Sequence, residues 1–203
     1  MRPMRIGIVA LSLVLALTGC AGWFGAADAR QAGASAVMRW DHRPEATAWT
    51  EASLNFLAPG SPAEILPEIV PEDIANWCPA YASANREARE LFWVGLLSTL
   101  ARHESTWNPD AVGGGGRWFG LVQISPGTAR HYGCQATSGQ ALLDGAANVS
   151  CALRIWATTV PRDGVIAENR RGVAADWGPL HPSQSHKRED MRAWMQAQPY
   201  CRG

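Results

Sequence analysis

Leu91-Phe92-Trp93-Val94-Gly95-Leu96-Leu97-Ser98-Thr99-Leu100-Ala101-Arg102-His103-Glu104-Ser105-Thr106-Trp107-Asn108-Pro109 sets the class of this chain. Arg86 to Glu104 holds no proline, and Trp93, Val94, Leu97, Leu100 and Ala101 recur at the i, i+3, i+4 spacing of a helix. Pro109 stops that helix, and the Gly113–Gly116 run after it cannot be stably helical. Glu104 follows Ala101, Leu100 and Leu97 at helical spacing, so it continues the apolar stripe. A carboxyl in that position is partly desolvated, which raises its pKa and keeps it protonated near neutrality.

A neutral carboxyl is what a general acid for a glycosidic oxygen requires. The known case is a glutamate held in an apolar pocket beside a tryptophan. Trp93 and Trp107 are expected to form such a wall around Glu104. Other chemistries fail on spacing. His103-Glu104 is followed by Trp107 and not by a second histidine, so no zincin helix is present. His181 and His186 lie in a Pro/Ser loop and are expected to be solvated. No metal site and no cofactor is expected.

Outward from this helix, the chain from about Pro71 reads as helices joined by Gly/Pro turns. Ser125-Pro126 supplies an N-cap and first-turn proline for a short helix. Gln140 to Thr159 is a long Ala/Leu-rich helical run ended by Pro161. Asp163 is placed to cap a segment through Asp176, and Ser185 to cap a last helix through Gln196. Strand-like alternation is confined to Phe119–Ile124. The expected fold is a mainly α domain over residues 71–203 with a very small β/loop element.

Lys+Arg and Asp+Glu both number 18 in the 203 residues, so no net field attracts nucleic acid. Hydrophobic residues make up 47%, which excludes a disordered chain. Lys187 is the only lysine, and composition assigns that to a genomic preference for arginine.

Residues 1–19 read as an export signal: Arg2 and Arg5 precede a largely apolar run, Ile6–Leu17, too short to cross a bilayer core of roughly 30 Å. It ends in Leu17-Thr18-Gly19-Cys20, which resembles a bacterial lipobox with Cys20 as the lipidated residue. Ala21 after the cysteine points to the outer membrane, with the protein facing the periplasm. Residues 20–70, rich in Ala, Gly and Pro, are expected to be a lipid-anchored flexible tether, although Trp40, Trp49 and Phe56 interrupt its polarity. Cys78, Cys134, Cys151 and Cys201 remain, and four cysteines in an exported chain allow two disulfides in three connectivities.

Glu104-Ser105-Thr106-Trp107-Asn108-Pro109-Asp110-Ala111, the Gly-rich loop and Gly120-Leu121-Val122-Gln123-Ile124-Ser125-Pro126-Gly127-Thr128-Ala129 then fall into a pattern. Together they resemble E-S-x-x-N-P-x-A and G-L-M-Q-I-x-P-x-T-A of the lysozyme-like lytic transglycosylases, in their soluble-lytic-transglycosylase (SLT) branch. Val122 stands where the family has Met. Asn148-Val149 with Ile155 resembles a third block, N-I-x-x-G-x-x-L. The resemblance covers about Leu91 to Leu180 and implies a lysozyme-like fold acting on peptidoglycan glycan strands.

Carried over residue by residue, the resemblance implies Glu104 as the single catalytic acid/base. It implies Ser105 near a bound acetamido group, Gln123 on the loop lining the cleft and Asn148 on the facing helix. The family's fourth block, A-A-Y-N-A-G, is only faintly matched by Ala174-Ala175-Asp176-Trp177-Gly178-Pro179, with no tyrosine. Trp177 and Tyr132 are the substitutes in shape. The implied reaction cleaves the MurNAc-β-1,4-GlcNAc bond and leaves a 1,6-anhydro ring; a lysozyme-type muramidase and a non-catalytic peptidoglycan-binding lipoprotein are the alternatives. The family packs the helix bearing Cys151 beneath the cleft wall near Cys134, which implies Cys134–Cys151, and by non-crossing Cys78–Cys201.

Overall fold

The structure is a computed structural model and describes residues 36–202. In chain order its helices are α1 (Ala46–Leu57), α2 (Ile65–Glu68), α3 (Arg86–Ser105), α4 (Pro126–His131), α5 (Gly139–Leu142), α6 (Gly145–Asp163), α7 (Ser185–Gln196) and α8 (Pro199–Arg202). The sheet is one antiparallel pair, β1 (Val112–Gly113) and β2 (Trp118–Phe119), with Val112 opposite Phe119. This is the mainly α, lysozyme-like arrangement expected of the sequence.

Asn85 starts α3 by accepting the Ala88 N–H on its side chain. Every residue from Leu91 to Ala101 is buried, so α3 is enclosed on all sides and not on one stripe. Helices α1, α2, α7 and α8 pack on it, and α6 lies against α1 and α2. Trp93 meets Trp156 of α6 with ring centroids 6.2 Å apart.

The segment expected as tether belongs in part to the fold. Met38, Trp40, Trp49, Leu57 and Leu66 are all buried, and Trp40 meets Trp49 edge-on at 5.7 Å. Helix α1 buries Ala46, Trp49, Ser53 and Leu57 at helical spacing. Its Trp49 fills the space over Gly145, where a Cβ would come within 2.2 Å of the indole nitrogen. Residues 38–70 of the expected tether therefore pack with the domain expected from residue 71. Frequent prolines hid an apolar stripe only three turns long. The export signal, the lipobox and Cys20 lie outside the described residues.

Three helical readings change. Asp144 caps α6 by accepting the Ala147 N–H, so the run from Gln140 divides into α5 and α6. Helix α6 then passes through Pro161 to Asp163, because the proline sits in the last turn before Gly164 takes a left-handed backbone. Asp163 does not open a helix to Asp176. Its carboxylate accepts the Gly172 N–H at 2.6 Å, while the Ile166 and Ala167 N–H groups go to Asp73 at 2.7 and 2.9 Å. The segment is a strapped loop ending in a 3-10 turn at Gly172–Ala175. Ser185 is the first residue of α7 and makes no capping bond.

Cys78 is bonded to Cys201 and Cys134 to Cys151, the pairing implied by the resemblance. Among the described residues no helix is long and apolar enough to cross a membrane.

Candidate active site

Glu104 is the second-last residue of α3. The helix ends because Thr106 and Trp107 take positive φ of 54° and 56°, and the Trp107 N–H bonds back to the Ala101 carbonyl. That termination leaves the Glu104 carboxyl at the mouth of a recess of about 280 Å³. His103, Pro179, His181, Gln184 and Lys187 form its walls. The walls opposite α3 therefore come from the chain around 178–184 and from the start of α7.

Glu104 is half-buried, and burial pushes its pKa up to about 7, against which the Lys187 ammonium pulls down. No described residue donates a hydrogen bond to its carboxyl, so a desolvated group faces one cation without a fixed partner. Asp190, one turn beyond Lys187, holds α7 to α3. Its carboxylate accepts from Arg102 at 2.9 Å, pairs with His103 at 2.8 Å and takes a fork from Arg39 at 2.6 and 3.0 Å. Arg39, from the segment read as tether, thus helps to set the wall that carries Lys187.

The expected tryptophan wall is not there. Trp93 precedes Glu104 by eleven residues, about 16 Å along the helix, and lies in the core bonded to the Tyr81 hydroxyl. The Trp107 indole turns back along α3 to donate to the Ser98 carbonyl and meets His42 edge-on. Glu104 is instead desolvated in the recess lined by His103, Pro179, His181 and Gln184.

Four of the five expected substrate contacts have their side chains engaged by the loop at residues 119–124. Ser105 donates to the Leu121 carbonyl at 2.8 Å. Asn148, fully buried, accepts the Val122 N–H at 3.0 Å and donates to the Phe119 and Leu142 carbonyls, both at 3.0 Å. Trp177, also buried, donates to the Val122 carbonyl at 2.8 Å. Gln123, with φ of 53°, donates to the Ala111 and Gly120 carbonyls. These residues hold the loop beside Glu104, with Asn148 and Trp177 bracing it from within the core. Gly120 is required here: its φ is +79°, and a Cβ would meet the Leu142 carbonyl at 2.2 Å.

The fifth, Tyr132, donates its hydroxyl to Asp176 at 3.2 Å. It therefore does not stand in for a tyrosine on Glu104. Lys187 was the residue the sequence did not place. Its only signal was its singularity among eighteen basic residues.

A transglycosylase SLT domain model matches residues 82–162. The chain carries an SLT domain. That span starts just before α3 and ends one residue before the end of α6, and it contains Glu104, the loop at residues 119–124 and Asn148. Among solved structures, wild-type Bd0314 DslA is 27% identical with a TM-score of 0.70, covering 82% of this chain and 98% of that one. Two glutamate-to-glutamine variants of the same protein align with TM-scores of 0.71 and 0.72, at 27% and 28% identity and the same coverage. No curated protein matches the chain. The match covers about two fifths of the chain, and together with the likeness to DslA it supports a lysozyme-like SLT enzyme acting on the peptidoglycan of the cell envelope.

Proposed function

We propose that this SLT protein cleaves the MurNAc-β-1,4-GlcNAc bond of glycan strands with Glu104 as its one catalytic carboxyl, acid first and base second. The observation that carries the proposal is a half-buried carboxyl, its pKa pushed up to about 7, that is the only acid among the described residues lining its recess. As acid, Glu104 gives its proton to the glycosidic oxygen while the C1–O bond breaks and the acetamido carbonyl supports the positive charge. As carboxylate, it takes the proton of the C6 hydroxyl, whose oxygen closes on C1. The proton lost in the first half returns in the second, and no water is consumed. Two-carboxylate glycosidases instead place a second acid across the bond. An SLT lyase has no such requirement, and this recess offers none.

Lys187 tunes the acid. The protonated form of Glu104 starts the reaction, so kcat/KM should fall as pH rises through about 7. Removing the ammonium in Lys187→Met should move that falling limb to higher pH, because the nearby positive charge that lowers the Glu104 pKa is lost. His103 and His181 share the recess and stay in place in both proteins. A limb that does not move between wild type and Lys187→Met would remove Lys187 from this role.

We further infer an anchor at Cys20 that holds the domain to the outer membrane, facing the periplasm. What supports it is the signal anatomy together with an even number of remaining cysteines. Met38, the first core residue, follows Cys20 by 18 positions, which span at most about 60 Å when extended. Labelled fatty acid should enter the wild-type chain and not Cys20→Ala. A wild-type chain that takes up no label rules the anchor out.

A further inference from the structure

Helix α7 separates two recesses. Lys187 lines the one that holds Glu104, while Arg188 and Arg192 line another of about 260 Å³, together with Asp73, Asn76, Glu168, Asn169 and Pro182. Arg188 and Arg192 are four residues apart and so stand on one face of the helix. Neither guanidinium donates a hydrogen bond to any described residue, and the buried Nε of each lacks an acceptor. The arginines that brace the fold behave otherwise: Arg39 and Arg102 both end on Asp190.

Neither acid in the recess bonds this pair: the exposed Glu168 faces Arg171 at 3.8 Å. The Asp73 carboxylate accepts the Ile166 and Ala167 N–H groups and the Trp77 indole N–H, so its lone pairs are engaged. Among the described residues the one carboxylate at ion-pair distance from Arg192 is that of the exposed Glu189, at 3.5 Å. Its guanidinium is held over the Trp77 ring at 4.9 Å, which fixes its plane. Burial, and then the charge of Arg188, make Arg192 less basic than an ordinary arginine. Two like charges that crowd one another in a half-desolvated recess are complementary to an oxyanion, and planar guanidinium groups match a carboxylate in particular.

The position favours a carboxylate that arrives with the substrate. Pro182 lines the arginine recess, and Gln184 of the same 3-10 turn lines the Glu104 recess. A group branching from a sugar bound at Glu104 needs only to pass this turn. We propose that Arg188 and Arg192 form a second binding site, for a carboxylate of the peptide branch of the glycan strand. The proposal rests on the peptidoglycan reading of the Glu104 recess for its choice of ligand.

Calorimetric titration of the full chain with the free stem tetrapeptide tests it without any turnover. Saturable binding is expected, weakened about tenfold or more in Arg188→Gln and in Arg192→Gln, and lost when the peptide's carboxylates are amidated. Arg188 has no internal partner to lose, so Arg188→Gln keeps the experiment decisive should loss of the Trp77 contact unfold Arg192→Gln. Absence of saturable binding, equal binding by the amidated peptide, or binding unchanged in Arg188→Gln would overturn the proposal. So would capture by anionic lipid vesicles without any peptide binding, which would assign the arginines to a headgroup. Peptide binding alongside a protein that leaves sacculi intact would instead count against Glu104 catalysis alone.

Discussion

Glu104→Gln is expected to reduce cleavage of glycan strands by at least about a thousandfold while binding to sacculi persists. The amide keeps the shape of the carboxyl but can neither give a proton to the glycosidic oxygen nor take one from the C6 hydroxyl. The same substitution should stabilise the fold in a pH-dependent way. Unfolded, the carboxyl loses its proton near 4.5; folded, it holds it to about 7. Across that window the folded state keeps a proton that the unfolded state has released, so stability falls as pH rises and stays lower above 7. Glutamine has no proton to lose. The variant should therefore match wild type near pH 4 and exceed it by on the order of 2 kcal/mol at pH 8. Urea unfolding at the two pH values reads this directly. Retained activity would remove Glu104 from catalysis, and an unchanged stability difference would remove the desolvated carboxyl.

The second large effect concerns the Cys78–Cys201 bond, whose partners lie 123 residues apart. It joins the turn before α3 to α8, and the Ala80 N–H donates to the Cys201 carbonyl beside it. In the chain-entropy picture a loop of this length contributes about 4 to 5 kcal/mol, against about 3 kcal/mol for the 17-residue separation of Cys134 and Cys151. Replacing Cys78 and Cys201 together with Ala should therefore lower the urea midpoint more than replacing the other pair. Both sulfurs are buried, so alanine avoids placing an unpaired hydroxyl in the core. Equal midpoints for the two double variants and wild type would contradict this account of what closes the domain.

Helix α3 was legible because eleven apolar or small residues in a row leave little else to form, and Ser125-Pro126 because cap and first-turn proline are local chemistry. Helix α1 was not. Its inward face is Ala46, Trp49, Ser53 and Leu57, too sparse a stripe to stand out among prolines until Gly145 is seen to make room for Trp49. At the site, motif spacing brought Ser105, Gln123 and Asn148 to the right loop. It could not tell a side chain that touches substrate from one whose hydrogen bonds hold the backbone, since both demand the same residue at the same place. Lys187 was illegible for a different reason. It reaches Glu104 from α7, more than eighty residues on, through a helix position set by the Asp190 cluster and by the buried Met191 and Met195.

Digestion of purified sacculi, followed by mass analysis of the soluble muropeptides, bears most directly on the reaction assigned to Glu104. Products from the wild-type protein are predicted to carry 1,6-anhydroMurNAc ends, each lighter by one water than its hydrolysed counterpart, and none should form with Glu104→Gln. Reducing ends in place of anhydro ends would make the protein a hydrolase, and sacculi left intact by the wild-type protein would contradict catalysis at this site altogether.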